Sequence, residues 1–270
     1  MKHILVLTDF SDISECAVQS AYNLAMLHQA QLSIYHGVNQ KSEVSFDLND
    51  ELGNDVNKEL HVHIQAWKEK ASREGCDAKY ILGSDQLATK INAIHAEDPI
   101  DLVVMGATGK GQSGSVWGST TQKMINNLQQ PILVLRNDPL DIPPKNVVFA
   151  SAFDPKDKQL LTKSIDMLNI SEDSTIQLLA INTMSYFAQP TVLMKAVMKD
   201  FSKLIEPIKS VRHFYSDYSV DAGIKHYLDN HPTDMLIMYN DQSKSFKKLF
   251  TESNTMKAVN RINLPILAIR

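Results

Sequence analysis

The chain has 270 residues, a net charge of −4 and apolar side chains at 43% of its positions. This length gives one large domain or two ordinary ones, and the composition is typical of a soluble folded protein, with no basic run for nucleic acid and no apolar run for a membrane span. The two cysteines, Cys16 and Cys76, form neither a disulfide framework nor a metal or redox motif, so we expect a cytoplasmic protein.

The first half of the chain alternates short apolar strands with amphipathic helices. The first helix is capped by Ser11 or Asp12, and a later helix, capped by Ser84 or Asp85, ends near residue 96. Strands alternating with helices in this way predict an α/β fold with a parallel sheet and right-handed crossovers. The predicted strands are at residues 3–7, 31–36, 78–82, 101–105 and 131–135, and a long helix is predicted at 54–73.

A glycine-rich run lies between the fourth predicted strand and the next helix. It covers residues 105–121, MGATGKGQSGSVWGSTT, and holds five of the ten glycines in the chain. Glycine lets backbone approach a ligand closely and permits positive φ, so successive amide N–H groups can converge on an anion. A helix that begins at residues 118–120 adds its unpaired N–H groups and the positive end of its dipole. The run predicts a phosphate-binding loop, and the alternative is a surface loop whose glycines only turn the chain.

After a proline-containing segment, the pattern of the first half returns. We interpret this as a tandem duplication, with a first domain at residues 1–138, a linker at 139–145 and a second domain at 146–270. The predicted fold class is therefore α/β, with two tandem open parallel five-stranded sheets that carry helices on both faces. Three blocks align in the same order: residues 145–153 with 2–10, residues 234–238 with 101–105, and residues 264–270 with 130–136.

The two copies differ at the positions that matter for binding an anion. Asp9, which follows the first strand, aligns with Ala152, and Gly106 aligns with Tyr239. Residues 240–248, which replace the glycine-rich run, contain no glycine. Because backbone without glycine cannot readily wrap a phosphate, we expect one working site in the first domain and a structural copy in the second.

The strand that ends at Asp9, the glycine-rich run after strand four and the duplication together resemble the universal stress protein family in its tandem form. The resemblance covers the whole chain. The family motif is a glycine, two residues, a glycine, nine residues, a glycine and then serine or threonine. Here Gly106, Gly109 and Gly118-Ser119 match it, although residues 110–117 number eight rather than nine.

The resemblance implies a Rossmann-like fold of the adenine nucleotide alpha hydrolase type, with strand order 3-2-1-4-5. It also implies that Asp9 contacts adenine or ribose, and that Val38, or its neighbour Gly37, contacts the base. The glycines and the start of the following helix would hold the phosphates, and Mg²⁺ would be held only through them. The family further implies that the two lobes form an internal pseudo-dimer through their last strands, with a homodimer possible. The implied cofactor-binding residues are Thr8, Asp9, Val38, Met105, Gly106, Gly109, Gly118, Ser119 and Thr120.

Other motifs in the chain are weak evidence for a ligand or metal site. Gly109 to Gly114 fits the dinucleotide pattern G-x-G-x-x-G, but it follows the fourth strand and stands three residues beyond its end. His61 and His63 are two apart on a predicted helix and make a poor metal pair. Asp9 has an alternative role as a helix N-cap.

The function expected from the sequence is binding of ATP or another adenine nucleotide in the first domain of a stress-response protein. Its output is expected to be regulatory or directed at an unknown protein partner, because no base or nucleophile is positioned for turnover. Enzyme activity would amount at most to slow ATP hydrolysis or autophosphorylation. The alternative is a nucleotide-independent interaction or scaffold protein in which both sites have decayed.

Overall fold

A computed structural model describes residues 1–38, 62, 65–67, 69, 78–84, 86–107, 119–136, 138–183, 191–239, 262 and 264–269. The strands within these ranges are β1 (His3–Thr8), β2 (Gln31–Val38), β3 (Ala78–Ser84), β4 (Leu102–Gly106), β5 (Ile132–Leu135), β6 (Asn146–Ala150), β7 (Thr175–Thr183), β8 (Lys209–Asp217), β9 (Met235–Tyr239) and β10 (Ile266–Ile269). The helices whose bounds lie within these ranges are α1 (Asp12–His28), α2 (Leu87–Glu97), α3 (Ser119–Asn127), α4 (Asp157–Leu168), α5 (Thr191–Leu204) and α6 (Val220–Asn230).

The chain divides into two compact units. The first comprises Met1–Gly106 and Asn127–Pro139, and the second comprises Ala107–Asn126 and Leu140–Arg270. The first unit therefore ends at the start of the predicted linker, whereas residues 107–126 group with the second unit. The division into two duplicated domains at 1–138 and 146–270 remains our proposal from the internal repeat.

The sheet of the first unit has the order β3-β2-β1-β4-β5, and its strands are parallel. Every residue of β1 is buried, as expected for a strand covered on both faces. The register pairs Leu7 of β1 with Tyr35 of β2 on one side and with Met105 of β4 on the other. The carboxyl ends of these three strands thus lie side by side, at the edge of an α/β sheet where ligands bind.

The sheet of the second unit has the corresponding order β10-β9-β6-β7-β8 and is also parallel. The predicted fold class, α/β with parallel strands of Rossmann-like topology and helices packed on them, is confirmed.

Hydrogen bonds at aligned positions support the duplication. The Asp101 carboxylate accepts from the backbone N–H groups of Lys2 and His3, so it ties the start of β4 to the start of β1. In the second unit, the Asp234 carboxylate accepts from the N–H groups of Lys145 and Asn146, at 3.0 and 2.7 Å. A carboxylate that accepts hydrogen bonds from two backbone N–H groups makes charge-assisted hydrogen bonds. The same arrangement occurs at aligned positions in both units.

The predicted helix starts are correct at α1 and wrong at α2. Ser11 caps α1, and its side chain accepts from the N–H of Ser14. Helix α2 instead begins after Gln86, which makes no side-chain cap. The prediction of a cap by Ser84 or Asp85 failed because β3 continues through Ser84, which pairs with Val38 and is therefore still in the sheet.

Candidate functional site

The carboxyl end of β1 turns sharply into α1. Phe10 has a positive φ of 60°, which is uncommon for a residue with a side chain and costs about 1–2 kcal/mol. The Thr8 hydroxyl offsets this cost, because it accepts from the Phe10 N–H at 3.1 Å and lies 3.1 Å from the Ser14 hydroxyl. This turn fixes the position of Asp9, which stands between Thr8 and Phe10.

Asp9 is exposed at this turn and hydrogen-bonded on one side. Its Oδ1 accepts from the backbone N–H of Ser11 at 3.1 Å and from the Ser11 hydroxyl at 2.5 Å. Partial burial alone would raise the pKa of Asp9, but hydrogen bonds that involve Ser11 and Ser14 lower it below its ordinary value. Asp9 is therefore an anion at neutral pH. The helix cap is Ser11 rather than Asp9, so the alternative role considered for Asp9 is taken by its neighbour.

Gly106 ends β4 and lies against the start of α1. A Cβ added at Gly106 would lie 2.8 Å from the backbone oxygen of Ile13 and 2.8 Å from its Cγ2. Such contacts leave no room for any side chain, because the carbonyl belongs to the helix backbone. Met105, directly before it, is buried. Since β1 and β4 are neighbours, Gly106 and Asp9 follow paired residues at the same edge of the sheet.

The end of β2 contributes a residue that the sequence analysis missed. His36 pairs with Thr8 across the strands, and its Nδ1 lies 2.8 Å from the Thr8 carbonyl oxygen. Its ring centroid lies 4.5 Å from that of Phe10. Val38, which was predicted to contact the base, is the last residue of β2. A histidine near the carboxyl end of the predicted strand was the available signal for His36, but its partner depends on the strand register.

An apolar recess lies beside this cluster in the first unit. Its cavity volume is only about 10 Å³, which is room for about one water molecule. One wall is the turn at the end of β1, another is the outer strands β2 and β3, and a third is Trp67. Its lining residues are Thr8, Phe10, Ile34, His36, Trp67, Tyr80, Ile81 and Leu82.

Comparison with known proteins identifies the family. The family model described as the universal stress protein family matches residues 1–136. The chain belongs to the universal stress protein family. The universal stress protein YxiE of Bacillus subtilis strain 168 is 31% identical over 144 residues, which are 49% of this chain and 97% of that protein.

Solved structures extend the likeness in fold to the whole chain of this universal stress protein. A universal stress protein from Archaeoglobus fulgidus DSM 4304 has a TM-score of 0.68 and 13% identity, over 99% of this chain and 96% of that one. A functionally unknown protein from Pseudomonas aeruginosa PAO1 has a TM-score of 0.61 and 12% identity, over 100% of this chain and 92% of that one. At these identities, the two structures show a shared fold and nothing about ligands.

The nine predicted site residues of this universal stress protein fall into three groups. Thr8, Asp9, Val38, Met105 and Gly106 come together at the carboxyl edge of the first unit's sheet. Ser119 and Thr120 are the first two residues of α3, within the stretch that groups with the second unit. Gly109 and Gly118 lie outside the described residues, as do His61 and His63.

The corresponding edge of the second unit is filled by side chains. Tyr239 ends β9 where Gly106 ends β4, and the Lys156 ammonium lies 4.5 Å from the centre of the Tyr239 ring. Asp157 is buried, and its carboxylate accepts from the Ser151 hydroxyl at 2.5 Å and from the Asp154 N–H at 3.0 Å. The second unit therefore carries an aromatic side chain where the first unit has Gly106, and the buried carboxylate opposes an incoming anion.

None of the helices in the part of the chain that the structure describes is long and apolar enough to cross a membrane. No group of three or more histidine, cysteine, aspartate or glutamate side chains in that part is arranged to hold a metal ion.

Proposed function

We propose that this universal stress protein binds ATP or a similar adenine nucleotide in its first unit and uses it to regulate a protein partner in the cytoplasm. The observation that carries the proposal is the approach of Gly106 to the Ile13 backbone, beside an ionised Asp9 at the same sheet edge. A glycine at the end of a central strand lets the backbone approach a ligand in the crevice where ligands of α/β sheets bind.

The charge of Asp9 orients the proposed ligand. A carboxylate repels phosphate but accepts hydrogen bonds from ribose hydroxyls, so the sugar and base belong at the ends of β1 and β2. The phosphates then extend from Gly106 into the glycine-rich run, where Gly109, Gly118, Ser119 and Thr120 are the proposed contacts. Mg²⁺ would be held by the phosphates rather than by a protein site.

A thermal-shift experiment with Mg-ATP tests the proposal. We expect ATP to raise the melting temperature of the wild-type protein, and Gly109→Asp to abolish this rise because it adds a side chain and a negative charge to the phosphate loop. The matched control is Gln242→Asp, at the position that the repeat aligns with Gly109, and it should respond like the wild type. Nucleotide released from the denatured purified protein and separated by anion exchange gives an independent measure.

The nucleotide-independent interaction protein is the competing function. An equal response of the wild type and Gly109→Asp to ATP, or no response of the wild type at saturating ATP, would count against the proposed site and leave the competing function standing.

A further inference from the structure

Helices α1 and α5 carry opposite charges on the faces that they leave open to solvent. Helix α1 contains Asp12 and Glu15 and no lysine or arginine, and both acids are exposed. Helix α5 contains one aspartate and three lysines, all exposed, and the lysines recur at every fourth residue, as Lys195, Lys199 and Lys203. No ion pair joins any of these acids or lysines to another residue that the structure describes. Their charges are therefore available to a partner.

Each of the two helices also exposes apolar side chains at one end. Eight large apolar side chains are exposed among the described residues, and four of these lie at the end of α1 or at the start of α5. Met26 and Leu27 of α1 are 43% and 44% exposed. Val192 and Leu193 of α5 are 78% and 57% exposed. Exposed apolar side chains beside charged ones are typical of surfaces that bind another protein.

The spacing of the charged and apolar side chains is the same on both helices. Glu15 and Met26 are eleven residues apart, as are Val192 and Lys203. Since a helical turn takes about 3.6 residues, eleven residues make close to three turns, and the two side chains lie on one face roughly 16 Å apart. Two such helices laid antiparallel bring Glu15 against Lys203. The same placement brings Met26 against Val192, and it sets the positive end of one helix dipole beside the negative end of the other.

We propose that the exposed face of α1 in one copy of the chain binds the exposed face of α5 in a second copy, antiparallel, with ion pairs at one end and apolar contacts at the other. The contact involves neither β5 nor β10, the last strands of the two units. Charge over the whole chain acts in the same direction, because residues 1–138 hold 11 lysines and arginines against 17 acids and residues 139–270 hold 16 against 14. A single pair of short helices buries less than the roughly 1,000 Å² of a stable interface, so the association is weak and sensitive to salt.

Sedimentation equilibrium of the full chain without nucleotide, over a range of protein concentrations, tests the inference. We expect the wild type to associate as its concentration rises, and added salt to weaken the association. Lys203→Glu should weaken it at least about fivefold, because two like charges then meet. Glu15→Lys should have the same effect. The matched control is Lys163→Glu, which reverses the charge of an exposed lysine on α4 and should associate like the wild type.

A mixture of the two charge-reversed variants tests the pairing directly. Glu15→Lys and Lys203→Glu chains in equal amounts should associate with each other within about twofold of the wild type, because opposite charges meet again in both contacts between unlike chains. If a charge reversal prevents folding, Met26→Gln tests the apolar end of the same contact and should weaken association about threefold.

Three results would overturn the proposed contact. The first is a wild type that stays monomeric at every concentration; its co-sedimentation with phosphatidylglycerol vesicles would then assign the lysines to a lipid surface instead. The second is association that Lys203→Glu, Glu15→Lys and Met26→Gln all leave unchanged, which would place the interface on another face. The third is a mixture that associates no better than the separate variants. None of these results depends on nucleotide binding, so the proposed function stands or falls separately.

Discussion

At the scale of single residues, the contact between Gly106 and Ile13 leaves no room for a side chain at position 106. Gly106→Ala is expected to destabilise the protein by about 1–3 kcal/mol, because the new methyl group would meet backbone atoms that cannot rotate away. Chemical denaturation of the variant and the wild type measures this difference. Gly106→Ala combined with Ile13→Ala is the control, since it removes Cγ2 but leaves the carbonyl in place. Full rescue by the second substitution would show that the backbone contact is not the cause.

Asp9 predicts a defined dependence of stability on pH. Its pKa is lowered from the ordinary 3.8 in the folded chain, so the unfolded chain binds its proton first as the pH falls. The stability that Asp9 contributes is therefore fully present above pH 3.8 and is lost as the pH falls through its lowered folded value. The difference in free energy of unfolding between the wild type and Asp9→Asn should shrink on acidification through this window. A difference that stays constant or grows with acid would contradict the assignment.

The sequence alone indicated Asp9 and Gly106 but not the contacts made around them. Asp9 and Gly106 were recognisable because a carboxylate and a glycine stand at the ends of apolar runs. The contact of His36 with the Thr8 carbonyl depends on the pairing of these two residues, and a one-residue change of register would have turned His36 to the other face of the sheet. The contact of Gly106 with Ile13 was equally out of reach, because it joins residues 93 positions apart through the packing of a helix on a strand.

At the scale of elements, the outer strand β8 and helix α6 share a cluster of aromatic and titratable rings. His213 of β8 has its ring centroid 4.9 Å from that of Tyr227 and 5.2 Å from that of His231. The Tyr227 hydroxyl donates to Gln177 Oε1 of β7 at 2.6 Å, so the cluster joins two strands and a helix. Burial, and secondarily the nearby His231, lower the pKa of His213 below its ordinary value of 6.5.

This cluster is expected to weaken in mild acid. A histidine whose pKa is lowered on folding takes up its proton first in the unfolded chain, so the free energy of unfolding falls as the pH drops below about 6.5 and levels off below the folded pKa. His213→Gln should reduce this fall, measured by denaturation at several pH values between neutrality and mild acid. Tyr227→Phe is the control, because it removes the hydrogen bond to Gln177 without removing the titrating ring. Equal pH slopes for the wild type and His213→Gln would refute the prediction.

The strands could be predicted at this scale and the helix starts only in part. The strands predicted at residues 3–7 and 101–105 match β1 and β4 closely. A strand that is covered on both faces can be recognised from its run of apolar side chains alone. The cap of α2 was misplaced because Ser84 suits both a helix cap and a strand end, and pairing with Val38 decided for the strand.

At the scale of the whole molecule, the two units share hydrogen bonds and backbone angles and differ at the carboxyl edges of their sheets. Asp101 and Asp234 tie corresponding strand starts in the same way, and Phe10 and Phe153 share a positive φ, at 60° and 59°. These hydrogen bonds to the backbone and these backbone angles are common to both units. The differences lie at the carboxyl edges of the two sheets, where Tyr239 replaces Gly106.

This asymmetry predicts one bound nucleotide per chain. Titration calorimetry or native mass spectrometry of the intact protein with Mg-ATP should give a stoichiometry of one, because Tyr239 and the ammonium of Lys156 fill the edge of the second unit. Tyr239→Gly should also bind one nucleotide. Removing the ring leaves the buried carboxylate of Asp157, which repels phosphate, and leaves residues 240–248 without a glycine to wrap it. Two nucleotides per wild-type chain would mean that the second unit has kept a site of another design, and two per Tyr239→Gly chain would mean that the ring alone excludes the ligand.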